Sequence, residues 1–130
     1  MIVADSSALI ELLLPTGNAG TVAARLLDSG EPLAAPHLVD VETAHVLRRY
    51  ARLGVIDNMQ GRKAIDDLAD LPIQRYPHEV LLPRVWELQH NLTAYDAVYV
   101  ALAEVLDAPL VTRDRRLARA AGHGAEIELV

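Results

Sequence analysis

Short apolar runs alternate along this chain with longer stretches of helical periodicity. Ile2–Asp5 is three apolar residues closed by a carboxylate, the length of a buried strand. Ser7–Leu14 carries a helical pattern stopped by Pro15, and Asn18–Asp28 another, with Gly30 as its stop signal. Pro32–Ala35 predicts a second strand, and Pro36 opens a long helix to about Leu53, closed by Gly54. Asp57 suits the N-cap of a helix to Leu71, and Pro72–Arg75 a third strand. Helices follow over Glu79–Asn91 and Thr93–Asp107, then a strand at Leu110–Thr112. A helix over Asp114–Ala121, ended by Gly122, and a last strand at Glu126–Leu129 complete the pattern. Strands that alternate with helices predict an α/β fold with a mainly parallel sheet. At 130 residues, with no repeat and no linker, residues 1–130 are expected to form a single domain.

Composition narrows the class. The chain is 52% hydrophobic but contains no Phe, so Leu, Val and Ala must build the core. No apolar stretch approaches the roughly 20 residues of a membrane span. The first apolar run lacks a basic leader and is broken by Asp5 and Glu11, which argues against a signal peptide. Cysteine is absent, which excludes disulfides and thiolate metal sites and points to the cytoplasm. The net charge of −6 is unfavourable for a nucleic-acid partner. Two features offset it: a cation would neutralise several acids, and the arginines are grouped, at Arg48, Arg49 and Arg52 and again at Arg113, Arg115, Arg116 and Arg119.

Four acids occupy positions where charge is unusual. Asp5 and Asp114 each stand at a strand-to-helix turn, where a carboxylate can cap the helix or face a ligand at the sheet's carboxyl edge. In a parallel sheet both turns lie on one edge, and the acids become neighbours if their strands are adjacent. Asp96 lies three residues after Thr93, the spacing of a capping box, yet the stripe that continues through Tyr99, Val100 and Ala103 is apolar. Glu42 sits at the margin of its helix on an edge stripe Glu42–His45–Arg49; a solvated surface glutamate is the competing reading. Gathered together, four carboxylates repel, and a divalent cation with oxygen ligands is the usual remedy; cation beside phosphate is nuclease chemistry. Asp66, Asp67 and Asp70 form a solvated face beside Arg62 and Lys63, and Asp40 suits the first turn of its helix. The five histidines make no zinc-binding pair such as HExxH.

Four segments in order carry a resemblance. They are Ile2-Val3-Ala4-Asp5-Ser6-Ser7-Ala8-Leu9, Val41-Glu42-Thr43-Ala44-His45-Val46-Leu47-Arg48-Arg49, Leu92-Thr93-Ala94-Tyr95-Asp96-Ala97-Val98-Tyr99-Val100-Ala101-Leu102-Ala103 and Leu110-Val111-Thr112-Arg113-Asp114. Together they resemble the PIN domain, and within it the VapC-type toxin ribonucleases of bacterial toxin–antitoxin pairs. The resemblance implies a three-layer α/β/α fold with a mainly parallel sheet of four or five strands in the order 3-2-1-4-5. It implies a catalytic metal site of Asp5, Glu42, Asp96 and Asp114, supported by the hydroxyls of Ser7 and Thr112. It further implies an Mg²⁺- or Mn²⁺-dependent endoribonuclease leaving a 5′-phosphate, whose action inhibits translation and growth. A cognate VapB-type antitoxin and a homodimer are the implied partners. RNA itself would meet the chain through Arg49, Arg113, Arg115, Arg116 and Arg119. Some relatives carry one more acid, one turn after the last; Leu117 stands there in this chain.

Rival chemistries fit less well. A phosphatase of the HAD type needs an acid two residues after Asp5, where Ser7 stands, and a response-regulator receiver needs a late lysine, whereas Lys63 is the only one. The alternative that keeps the fold is a non-catalytic PIN-like module that binds RNA or protein. Loss of one of the four acids would mark such a module, and none is lost.

Overall fold

The computed structural model describes residues 1–130. Five strands form one sheet: β1 Ile2–Ala4, β2 Leu33–Pro36, β3 Ile73–Tyr76, β4 Leu110–Thr112 and β5 Ile127–Leu129. The order is β3-β2-β1-β4-β5 and every pairing is parallel. Parallel strands need crossovers, and seven helices supply them: α1 Ser6–Leu13, α2 Ala19–Leu26, α3 Leu38–Arg52, α4 Asn58–Asp70, α5 Leu82–Glu87, α6 Ala94–Leu106 and α7 Arg115–Ala118. Ile2, Val3 and Ala4 have no exposed surface although successive side chains leave opposite faces, so helices cover the sheet on both sides. Helix α6 lies against β1, β2 and β4 with α5 behind it, while α1 meets β4, α2, α3 and α4.

The unusual apolarity of α6 follows from this place. Seven consecutive residues, Ala97–Ala103, are buried, so the helix meets solvent only in its first and last turns. Leu, Val and Ala fill the core, with Ile2, Leu9, Leu26, Leu102, Leu110 and Leu117 among its largest fully buried side chains. A smaller cluster of Ile10, Leu14, Leu47, Ile56 and Ala64 joins α1, α3 and α4.

Several helix bounds shift from the sequence expectation. The single helix over Glu79–Asn91 is instead a 3₁₀ turn, Glu79–Leu81, followed by α5, which ends at Glu87. Pro83 explains the break: it lacks an N–H and fits only the first turn of a helix. Pro36 does not open α3 but ends β2, opposite Tyr76; the His37 N–H bonds the Tyr76 carbonyl, and α3 begins at Leu38. Gly54 stands directly after the end of α3, in the left-handed region at φ 73°, as a helix stop should. The helix expected over Asp114–Ala121 is shorter, Arg115–Ala118, and ends before Gly122, whose φ of 86° belongs to the turn that follows. The Asp57 cap is present with a reciprocal bond from Gln60.

The chain runs β1 to β2 to β3 on one side and returns to β4 on the other. The switch point therefore lies between β1 and β4, and ligands of open parallel sheets bind outside the carboxyl ends of such a pair. Asp5 and Asp114 follow those two ends.

Candidate active site

Register builds the centre of the site. Ala4 pairs with Val111, which sets Asp5 beside Thr112. Thr112 Oγ1 donates to Asp5 Oδ2 at 2.5 Å, Ser7 Oγ donates to Asp5 Oδ1 at 2.6 Å, and the Ala8 N–H caps the same Oδ1 at 3.0 Å. The two hydroxyl oxygens stand 3.3 Å apart, but each has one proton and it is directed to Asp5. Their lone pairs take backbone donors instead: Arg113 N–H to Ser7 at 2.8 Å and Asp114 N–H to Thr112 at 2.9 Å. Asp5 is thus a helix cap at the centre of the candidate site, 6% exposed, with roughly one of its four acceptor positions left. Burial pushes its carboxyl above the ordinary range; Ser7, Thr112 and Ala8 pull it back, and the charge of Asp114 raises it again.

The other three acids come to the same edge. Asp114 caps α7, accepting from the Arg116 and Leu117 N–H groups at 2.8 and 3.3 Å. Asp96 lies in the first turn of α6, its own N–H given to the capping Thr93 hydroxyl at 3.1 Å. Glu42, half-buried on α3, accepts from the Tyr99 hydroxyl at 2.6 Å. Burial raises its carboxyl too, the Tyr99 bond lowers it, and the charges of Asp5 and Asp96 raise it further. Asp5 therefore feels Asp114, and Glu42 feels both Asp5 and Asp96, so the four form one electrostatic group.

A single cation of the protein stands among them. Arg116 Nη2 lies 2.7 Å from Asp96 Oδ2 and 3.2 Å from Asp114 Oδ2. With Arg116 on two acids and Tyr99 on a third, no three carboxylates or imidazoles converge closely enough to enclose an ion. The donor chemistry nevertheless suits a hard divalent cation: oxygen ligands only, no histidine, and two carboxyls pushed up chiefly by burial and further by their like-charged neighbours.

The arginines separate in space. Arg49 and Arg113 line one cleft with Ser7, while Arg115 and Arg119 are exposed at α7. Arg116, expected to face RNA, is turned onto the acids. The stripe from Glu42 also differs from expectation: His45 is exposed, and it is Val46, with Arg49, that lines the cleft. Tyr99 is the residue that sequence reasoning missed. Its signal was present, since a tyrosine on a buried stripe needs a partner for its hydroxyl.

A PIN-domain family model matches residues 2–123. The chain belongs to the PIN-domain family. Ribonuclease VapC1 of Mycobacterium tuberculosis is 45% identical over 130 residues, across 98% of this chain and 96% of that protein. A crystal structure of PAE2754 from Pyrobaculum aerophilum superposes with a TM-score of 0.73 at 27% identity, over 97% of this chain and 81% of that one. The structure of VapBC2 from Rickettsia felis, bound to a promoter DNA fragment, also gives 0.73, over 100% and 99% of the two chains; at 14% identity this is a likeness of fold. The span matched to the PIN domain contains all four acids and the Ser7–Thr112 clamp. No helix of the PIN domain is long and apolar enough to cross a membrane.

Proposed function

We propose that this PIN domain is a metal-dependent endoribonuclease and the toxin of a VapBC-type toxin–antitoxin pair. One observation carries the reading: four segments far apart in sequence bring coupled carboxylates to the switch point of the sheet, where Asp5 and Glu42 are held against both burial and like charge. Such an arrangement costs stability unless a cation is to be bound there. The name of the VapC1 relative supports ribonuclease action.

Asp5, Glu42, Asp96 and Asp114 would hold Mg²⁺ or Mn²⁺, with Asp5 innermost. The ion, when bound, supplies the positive charge that activates water and offsets charge gathering on the phosphodiester. Ser7 and Thr112 fix the Asp5 carboxylate, each through its only proton. Tyr99 holds Glu42 by Oε1, which leaves Oε2 to accept a proton from the attacking water. Water adds to phosphorus, the P–O3′ bond breaks, and the products carry a 5′-phosphate and a 3′-hydroxyl. Arg116 must leave the acids for the ion to enter. A VapB-type antitoxin that covers this edge is the partner, in line with the VapBC2 complex in the neighbouring fold. A second copy of the chain would cover the exposed Trp86, Leu82 and Tyr95 and give a homodimer.

The test is cleavage of total RNA by the purified chain with Mg²⁺, with Mn²⁺ and in EDTA, beside Asp5→Asn, Asp96→Asn and Asp114→Asn. Cleavage should need the ion and fall in all three variants. Full activity in all three, with their folding intact, makes the site assignment wrong; variants that are inactive because they unfold make the acids structural; and a folded wild-type chain that cleaves nothing with either ion leaves the binding-module alternative standing.

A further inference from the structure

The cleft between α1 and α3 opens directly beside the acids, with a volume of about 340 Å³. Ser7 lines it and also donates to Asp5, so cleft and acidic edge share a wall. We propose that this cleft seats the backbone of single-stranded RNA and takes a phosphate adjacent to the one that is cut, an inference that rests on the endoribonuclease reading above.

Two guanidiniums face each other across it. Arg49 on α3 forms no ion pair; its guanidinium lies over the Tyr50 ring, 5.8 Å from the centroid, and is exposed. It follows Glu42 by seven residues on the same helix, about 10 Å along the axis. A phosphate on Arg49 is therefore a neighbour of the one among the acids and not the same group. Arg113 stands on the opposite wall, and its backbone N–H is fixed to Ser7. Its guanidinium is partly committed: Nη1 donates to the Val130 carbonyl at 2.6 Å, and Nε lies 3.6 Å from Glu11 Oε1. Glu11 also accepts from the Thr16 hydroxyl and so orients Arg113. Glu11 offsets the charge of Arg113, which leaves Arg49 as the net positive charge of the cleft.

The remaining arginines of the group offer no such place. Arg116 is spent on Asp96 and Asp114, and Arg115 and Arg119 are exposed at α7, away from the lining of this cleft. In a chain of net charge −6, a free guanidinium next to an acidic edge is what draws the strand past it. The ligand is the phosphodiester backbone, and Tyr50 carries the guanidinium that meets it.

The experiment measures binding of a short fluorescein-labelled single-stranded RNA of randomised sequence by the full chain in EDTA, over a range of salt. Arg49→Ala should weaken binding on the order of tenfold and reduce the salt slope by about 0.7, the share of one single-strand phosphate. Arg113→Ala should have the smaller effect, and the double variant Arg115→Ala/Arg119→Ala none. Arg49→Lys should restore the slope. Unchanged affinity and slope in Arg49→Ala, with the loss carried by the α7 pair, would overturn the proposal. So would intact RNA binding together with weakened antitoxin binding, which would make the cleft a seat for an acidic protein segment. The two readings fail separately. A chain that binds RNA through Arg49 but cleaves nothing loses the endoribonuclease reading; one that cleaves through its acids and ignores Arg49 loses the cleft.

Discussion

Tyr99→Phe removes one oxygen and tests whether Glu42 is held or merely present. The Tyr99 ring is 2% exposed, and its hydroxyl gives Glu42 Oε1 a bond of 2.6 Å. A hydrogen bond to a charged group contributes about 1.5–3 kcal/mol. Glu42 is half-buried and can turn partly to water, so a loss of about 1–2 kcal/mol is the expectation. For a chain of 130 residues the melting entropy converts this to a fall of about 4–7 °C in Tm. The effect on rate is larger than the effect on stability. A freed carboxylate that shifts by about 1 Å can cost on the order of 100-fold. With RNA binding untouched, kcat should fall about 10- to 100-fold while KM stays within about twofold. The assay is steady-state cleavage of a defined RNA by wild type, Tyr99→Phe, Glu42→Gln and the double variant. Tyr99 acts through Glu42, so the double variant should be no slower than Glu42→Gln alone. A Tyr99→Phe enzyme at wild-type kcat, or losses that multiply in the double variant, would refute a positioning role.

Acidity gives a second check. Asp5 and Glu42 bind protons more readily in the fold than their ordinary values of 3.8 and 4.5 describe, so their contribution to stability grows as pH falls toward those values and is lost as pH rises through the raised ones. In EDTA, Tm should rise from pH 7 to pH 5, and Glu42→Gln should flatten the rise; a wild-type Tm that falls over that range contradicts the site's electrostatics. Below about 4.5 the trend reverses as Glu31, Glu104 and Glu128, held low chiefly by hydrogen bonds from the N-terminal amine, Arg84 and Arg25, take up protons. Arg116→Gln should raise Mn²⁺ affinity severalfold by calorimetry, because an internal competitor for Asp96 and Asp114 is gone; weaker binding would make Arg116 part of the site's support. Gly122→Ala should cost about 1–2 kcal/mol, since φ is 86° and the new Cβ would stand 2.2 Å from Asn91 Nδ2; thermal melts at wild-type Tm would show that the turn adapts.

The strands and acids were legible because burial and charge rarely coexist in so few residues. Ile2–Asp5 and Leu110–Asp114 each join an apolar run to a carboxylate, and the parallel sheet places both at one edge. Strand order came from resemblance and not from periodicity, which is blind to which strands are neighbours. The split at Pro83 was visible in the residue itself, but the apolar period around it continued and hid the break. The ion pairs of Arg116 are hidden from sequence for a different reason. A cation at the start of a helix is unfavourable by local rules, and its partner Asp96 lies 20 residues away, a pairing that only the fold creates. Tyr99 passed as one more member of an apolar stripe, because the ring satisfies the pattern and only the hydroxyl carries the chemistry.

The clamp on Asp5 joins residues 107 positions apart, and this has a consequence for timing. Val3 lies between Ala34 and Leu110 in the sheet only after β4 exists, so a growing chain cannot assemble the site from its first half. Asp5 emerges first and Asp114 follows 109 residues later, a delay of about 5–20 s at the usual pace of synthesis. Through that interval the nascent chain is harmless to the RNA around it. The switch from scattered to assembled carboxylates is set by translation itself, with the β1–β4 pair as its clock.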